Sequence, residues 1–404
     1  MSSLGLPKAD RPKEVGLSAK RLARLSETFR QDVEANKIPG AVVLIARAGH
    51  VAYGEAFGWR DREAKAPMEL DAIFRIASMT KPLTSVAAMI LAEEGKLQIA
   101  APVAEYLPEF ADRTVGTERL PAKRVMTVQD LLRHTSGLTY AAFGDSPVQM
   151  IWRDAQPMTP DQTNAEMVTK LASLPLMFEP GTTWEYSMST DVLGRVVEVV
   201  SGQDLADFID ARICRPLGLR DTGFAAIGER VTRVAEPQID PATGARPPMR
   251  DVAHPGRWAS GGGGAVSTAA DYARFCQMLL NGGELDGTRL LAPKTVALMA
   301  SDHLPPGCNY GDTARPRFGA LAPVPEMGYG FGLGFAVRTD AGRCPLPGSV
   351  GEYFWGGVLG TSFWIDPVEQ LIVVAMMQAP ERRLYYRHLL RPLVYGALVG
   401  PIPG

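Results

Sequence analysis

The sequence predicts an α/β plus all-α protein: an antiparallel sheet flanked by helices and built from both chain ends, with a helical domain inserted between them. Three observations predict it. Apolar runs of strand length cluster near the two ends of the 404-residue chain. The middle carries apolar residues spaced three and four apart between Pro/Gly-rich loops, as helices do. Strands and helices nowhere alternate in the βαβ manner that makes a parallel sheet.

The elements follow in order. A helix over 19–35 places Leu22, Leu25, Phe29 and Val33 on one face. Residues 40–46 read as a buried strand, and the Ala48-Gly49-His50 turn returns the chain through 51–54 as a hairpin. A strand end at 73–76 precedes an apolar helix over 82–94. Helices are expected at 127–133, 164–174, 190–200 and 204–212. Gly261-Gly262-Gly263-Gly264 reads as a flexible approach to a helix over 269–280 capped by Ser267. Strands at 331–338, 351–355, 362–366 and 371–377 lead to a last helix over 382–399. Three irregular segments, 141–160, 237–258 and 304–327, are long enough to be lids or binding loops, and they are expected to wall a cleft. The resulting division is a discontinuous sheet domain (1–100 and 260–404), a mainly helical domain (101–259) and an active-site cleft between them.

Composition removes several function classes. Hydrophobic residues at 46% and charged residues at 21% fit a globular chain with a large core. With 42 basic and 44 acidic residues the net charge is −2, which supplies no field for a polyanion, so nucleic acid is not an expected partner. No apolar run reaches membrane-spanning length, and 371–377 is strand-sized, so no membrane partner is expected. The first 15 residues are polar and lack the apolar stretch of a secretory signal. Cys214, Cys276, Cys308 and Cys344 lie far apart and, with no export signal, read as reduced thiols; the cytoplasm is the default expectation, although a mature chain with its signal removed would look similar. His50, His134, His254, His303 and His388 show no metal-ligand spacing, so neither metal nor cofactor is expected.

Ser78-Met79-Thr80-Lys81 is the one Ser-x-x-Lys in the chain. Positions three apart share a helix face, so the lysine amine can lie against the serine hydroxyl. At a helix N-terminus the serine also meets unpaired backbone N–H groups, which can stabilise an oxyanion. A serine hydroxyl needs a neighbouring base to become a nucleophile, and a buried lysine can be that base. Taken alone, the motif is equally a helix cap followed by a solvated lysine. Two further segments bear on the choice. Trp184-Glu185-Tyr186-Ser187-Met188-Ser189 offers a tyrosine for proton transfer, or one that packs on the helical domain. Phe354-Trp355-Gly356-Gly357-Val358-Leu359-Gly360-Thr361 offers glycines that free backbone N–H groups for a ligand, or a tight turn between strands.

These three segments in this order resemble the serine β-lactamase and penicillin-binding-protein superfamily, and within it the family VIII carboxylesterases, which share the class C beta-lactamase fold. The resemblance covers nearly the whole chain. Phe74-Arg75-Ile76-Ala77 before the serine, Leu131-Leu132-Arg133-His134-Thr135-Ser136-Gly137-Leu138, Phe178-Glu179-Pro180-Gly181-Thr182-Thr183 and Gly330-Phe331-Gly332-Leu333-Gly334-Phe335 also match. The resemblance implies a class C beta-lactamase-like fold, Ser78 as the acylated nucleophile, Lys81 and Tyr186 as the proton-transfer pair, and an oxyanion hole from the N–H groups of Ser78 and Val358. It also implies that Met188, Trp355, Gly356 and Gly357 face the substrate. Met188 stands where β-lactamases usually have Asn, and Trp355 where they have the lysine that attracts a substrate carboxylate. A tryptophan offers an apolar wall instead. Both departures favour small or short-chain neutral esters over anionic amides, so a small-molecule ester is the expected partner.

Competing readings remain open in the sequence. An acyltransferase would use the same acyl-enzyme with an alcohol in place of water. A β-lactamase or D-amino-acid peptidase, or a catalytically silent binding protein, would keep the fold. An α/β-hydrolase would need a Gly-x-Ser-x-Gly elbow, which the chain lacks. His134 is expected to pack, and Trp152, Trp258, Phe143 and Phe318 are expected apolar walls.

Overall fold

A computed structural model describes residues 4–240 and 243–400. Eight antiparallel strands form its main sheet: β1 (Gly40–Arg47), β2 (His50–Asp61), β3 (Ala66–Pro67), β4 (Tyr329–Phe331), β5 (Ala336–Arg338), β6 (Tyr353–Gly356), β7 (Ser362–Asp366) and β8 (Leu371–Met377). Their spatial order is β4-β5-β6-β7-β8-β1-β2-β3. The chain ends meet in the middle, where β1 pairs with β8 from Ala41 opposite Met377 to Arg47 opposite Leu371. Every residue of both strands is buried, so they read as continuous apolar runs rather than as alternating ones.

Helices cover both faces of the sheet. Helix α1 (Ala19–Glu34) is capped by Ser18, whose side chain accepts from the Arg21 N–H, and it buries Leu22, Leu25, Phe29 and Val33. It packs on β2 and on the last helix. Helix α2 (Thr80–Glu93) follows the Ser-x-x-Lys serine. Helices α3 (Val128–Leu132), α4 (Pro147–Asp154), α5 (Asn164–Ala172) and α6 (Ser189–Ser201) build the middle, and α6 packs on α2. Helix α7 (Ala269–Leu280) lies on β1 and β8, and α8 (Arg383–Tyr395) closes the chain. One contiguous apolar core runs from the sheet through α2 into the helical middle.

Four expectations need correction. The segment 331–338 is not one strand. Gly334 at φ +113 turns the chain, and β4 and β5 pair antiparallel across it. The cap of α7 is Thr268, which accepts from the Asp271 N–H at 3.1 Å, because Ser267 is paired to Phe74 in a two-stranded bridge. The segment 141–160 contains α4, started by a capping box between Ser146 and Gln149 with Pro147 in the first turn. The segment 304–327 holds a short helix, Ala314–Phe318, and a two-residue strand, Asn309–Tyr310. Over 237–258 the described residues are irregular as expected, with 241 and 242 outside them. Residues 1–3 and 401–404 of the expected sheet domain also lie outside the described residues.

Candidate active site

Ser78 sits on a single 3-10 turn (Ala77–Met79) between a short strand, Phe74–Arg75, and α2. The turn is held from several sides. The Met79 N–H donates to Ile76 O, and Thr80 Oγ1 donates to Ala77 O at 2.7 Å. Thr361 Oγ1 donates to Ile76 O at 3.1 Å, and Tyr272 Oη donates to Met79 O at 2.9 Å. Ala77 adopts φ +45, a left-handed conformation unusual for a residue with a Cβ. Such strain persists only where surroundings over-determine it, and it concentrates at functional sites.

A cleft of about 230 Å³ opens at this turn, lined by Ser78, Tyr186, Gly356 and Val358 among others. Four of the residues that the family resemblance implies at the site therefore share it. Lys81 lies beneath, 1% exposed. Its Nζ donates to Gly262 O at 2.7 Å and to Tyr140 Oη at 3.0 Å, and it stands 4.6 Å from the Tyr186 ring centroid. No hydrogen bond joins Ser78 Oγ to Lys81 Nζ or to Tyr186 Oη among the described residues; in resting enzymes such bonds are often long and tighten around substrate. The N–H groups of Ser78 and Val358 have no partner among the described residues, so both donors are free.

Three expected substrate contacts fall elsewhere. Trp355 is 2% exposed and donates its indole Nε1 to Tyr186 Oη at 3.2 Å. Side chains alternate along β6, so Trp355 turns inward against Tyr186, Phe318 and Phe331 while Gly356 meets the cleft. It holds the tyrosine and is not a wall. Met188 is fully buried as the residue before α6 and does not line the cleft. The Gly357 N–H is spent on Thr361 O at 2.8 Å. Of the four expected apolar walls, Phe143 and Phe318 line the cleft. Trp152 is fully buried and donates to Pro175 O, and Trp258 packs on the core. His134 packs on Tyr186 with ring centroids 4.9 Å apart, and burial, helped by Lys81, holds its imidazole well below its ordinary pKa.

Other residues at the site went unread in the sequence. Gly261–Gly264 is no flexible approach. Gly262 O accepts from Lys81, Gly261 O accepts from Thr84 Oγ1 at 2.8 Å, and Gly262 and Gly263 line the cleft. A Cβ on Gly262 would come within 2.3 Å of Asp191 Oδ2, so the run exists for close backbone approach. That possibility was the available signal. Tyr140 and Ser260 also line the cleft. Asp191, buried behind them, accepts from Ser260 Oγ and from the Gly262 N–H. Burial raises its carboxyl pKa, while Lys81 opposes the shift. Burial, then Asp191, pushes the Tyr140 phenol well above its ordinary value, so it stays protonated beside the lysine amine.

The chain is similar over most of its length to known proteins of one family. A family model described as Beta-lactamase matches residues 25–391. Esterase EstB of Burkholderia gladioli is 35% identical over 383 residues, covering 89% of this chain and 91% of that protein. An uncharacterized protein of Mycobacterium tuberculosis is 35% identical over 364 residues, 87% of this chain and 88% of its own. Among solved structures, EstCE1, described as a hydrolase with promiscuous acyltransferase activity, superposes with a TM-score of 0.79 at 31% identity, covering 95% of this chain and 99% of its own.

Proposed function

This chain belongs to the beta-lactamase family, as a family VIII carboxylesterase of the serine β-lactamase and penicillin-binding-protein superfamily, and on that premise we propose that it hydrolyses small or short-chain esters. Ser78 Oγ attacks the ester carbonyl carbon while Lys81, working with Tyr186, takes the hydroxyl proton. The carbonyl oxygen becomes an oxyanion held by the N–H groups of Ser78 and Val358, each worth about 3 kcal/mol in comparable sites. As the tetrahedral adduct collapses, the C–O bond to the alcohol breaks, and the alcohol leaves with the proton held by the Lys81/Tyr186 pair. Water then repeats the sequence on the acyl-serine and releases the acid. The observation that carries this reading is the convergence of Ser78, Tyr186 and two free N–H groups on one cleft over a buried amine.

A second reading rests on EstCE1, whose description includes promiscuous acyltransferase activity. The same acyl-serine would pass its acyl group to an alcohol whenever one outcompetes water. The cleft is proposed to divide the sheet part, 1–100 and 260–404, from the helical part, 101–259. Among the described residues no helix is long and apolar enough to cross a membrane. Four unbridged cysteines support a reducing, cytoplasmic setting.

The test is intact-protein mass spectrometry after a serine-directed phosphonate, with peptide mapping, paired with turnover of a short p-nitrophenyl ester and a chromogenic cephalosporin. Label on Ser78 with ester turnover far above cephalosporin turnover is expected. Label on Ser78 with the preference reversed would make the chain a β-lactamase. No label and no turnover would make it a silent binding protein.

A further inference from the structure

Three guanidinium groups stand on the wall of the cleft that holds Ser78. Arg317, Arg383 and Arg387 line it, and among the described residues no Asp or Glu does. Among the described residues none of the three forms an ion pair with an acid. Arg387 packs flat against Gly356, where an added Cβ would come within 2.6 Å of its Cζ. Its Nη2 donates to the carbonyls of Gly357 and Thr361, while its Nε is buried without a partner among the described residues. Arg317 lies over the Phe143 ring, 3.3 Å from the centroid, and its Nε is likewise buried and unpartnered. Among the described residues the one hydrogen bond of the Arg383 head runs from Nη1 to Pro380 O at 2.9 Å.

The charges are close enough to act on one another. Burial, followed by repulsion from Arg383, lowers the pKa of Arg317 and pushes that of Arg387 down to about 10. The carboxylate that acts on Arg317 is Glu185, whose own burial pushes it up to about 7 and leaves it a poor counter-charge. The chain as a whole carries a net charge of −2, so three uncompensated cations at one cleft are a local arrangement and not a basic surface. Cations gathered in a partly dry, aromatic-walled site are unfavourable until an anion joins them. The planar fork of arginine suits an oxyanion bound through two parallel hydrogen bonds. On small carboxylic esters the oxyanion most directly available is a second carboxylate, as in hemiesters of dicarboxylic acids or esters of hydroxy acids.

We propose that the ester processed at Ser78 carries a carboxylate, bound at the wall formed by Arg317, Arg383 and Arg387. This rests on the esterase reading and sharpens its substrate class. The lysine absent at Trp355 does not make the site neutral, because positive charge arrives from α8 and from the short helix Ala314–Phe318 before β4.

Two matched ester pairs test this. One pair is 4-nitrophenyl hemiglutarate against its methyl ester, with the carboxylate on the acyl side. The other is 4-acetoxybenzoate against methyl 4-acetoxybenzoate, with the carboxylate on the alcohol side. In at least one pair kcat/KM should favour the anion by about tenfold or more, mainly through KM. The preference should shrink between about 0.02 and about 0.2 M salt as the field is screened. Arg383→Gln and Arg317→Gln should each bring the ratio toward one, while Arg383→Lys should keep part of it. Equal kcat/KM within both pairs would overturn the proposal and leave the esterase reading standing. A wild-type preference that survives both glutamine variants would overturn the assignment to these arginines. Failure to turn over any of the four esters, with no phosphonate label on Ser78, would remove the esterase reading itself.

Discussion

Lys81 is buried to 1% exposure with its amine between Gly262 O, Tyr140 Oη and the Tyr186 ring, so its position is set by three separate segments of chain. On the proposed proton path, Lys81→Ala and Tyr186→Phe should each lower kcat by two or more orders of magnitude, in line with the typical worth of acid–base catalysis, about 10²–10⁴. Circular dichroism should show both variants folded. Near-normal turnover in either variant would take that residue out of the mechanism. Glu185, the residue before Tyr186, is 2% exposed and accepts from Thr139 Oγ1 at 3.2 Å. Burial lifts its pKa from 4.5 to about 7. Between those values the folded chain holds a proton that the unfolded chain has released. The stabilisation is therefore complete below about pH 4.5 and is lost as pH rises through about 7, a swing of about 3 kcal/mol. Glu185→Gln should raise the Tm relative to the parent at about pH 8 and change it far less at about pH 5. A Tm difference that stays constant across that range would show that Glu185 is not the titrating group. At this scale Ser78, Lys81 and Tyr186, the residues proposed for catalysis, were legible through the order of three segments that together carry the family resemblance, and not through any one motif. Arg317, Arg383 and Arg387 were not, because nothing in their local sequence distinguishes them from surface arginines.

Elements are joined by a buried charge cluster that no local pattern announces. Glu352, just before β6, is fully buried. It accepts from Arg391 Nη1 on α8 at 2.6 Å, from Tyr329 Oη on β4 at 2.9 Å and from Tyr395 Oη on α8 at 2.9 Å. Arg338 Nη1 of β5 stands 3.6 Å away. One carboxylate thus pins the last helix to three strands of the sheet. Glu352→Ala leaves two guanidinium groups buried without their counter-charge and should cost about 3–5 kcal/mol, read as a shift in urea midpoint. A loss under about 1 kcal/mol would mean that water or a rearranged partner replaces the carboxylate. Element identity was readable wherever period and length agreed, as in α1, β1 and β8. It was misread where a glycine splits an apolar run, as at Gly334, and where a short capped helix hides among loop residues, as in α4.

The whole molecule is closed by pairing residues about 330 positions apart, β1 with β8. Helix α8 then covers the sheet against α1, with Tyr386 Oη donating to Asp32 Oδ2 at 2.8 Å. A chain ending after Arg382 would expose that face and uncover Glu352. It should lose its cooperative urea transition, as followed by near-ultraviolet circular dichroism; a sharp transition retained in the truncated chain would show that α8 is dispensable to the fold. The amino-acid sequence by itself determined the long helices and strands and their antiparallel class, because these depend on residue spacing within a few turns, and the family resemblance implied the proposed serine–lysine–tyrosine set. Only the tertiary structure decided which side chains face the cleft. Trp355 turned inward to Tyr186, Met188 was buried, Gly262 became a carbonyl partner of Lys81, and three arginines from distant segments converged beside Ser78. The physical reason is that a side chain's direction depends on the pleat of its strand and on what packs against it. Spacing along the chain carries neither.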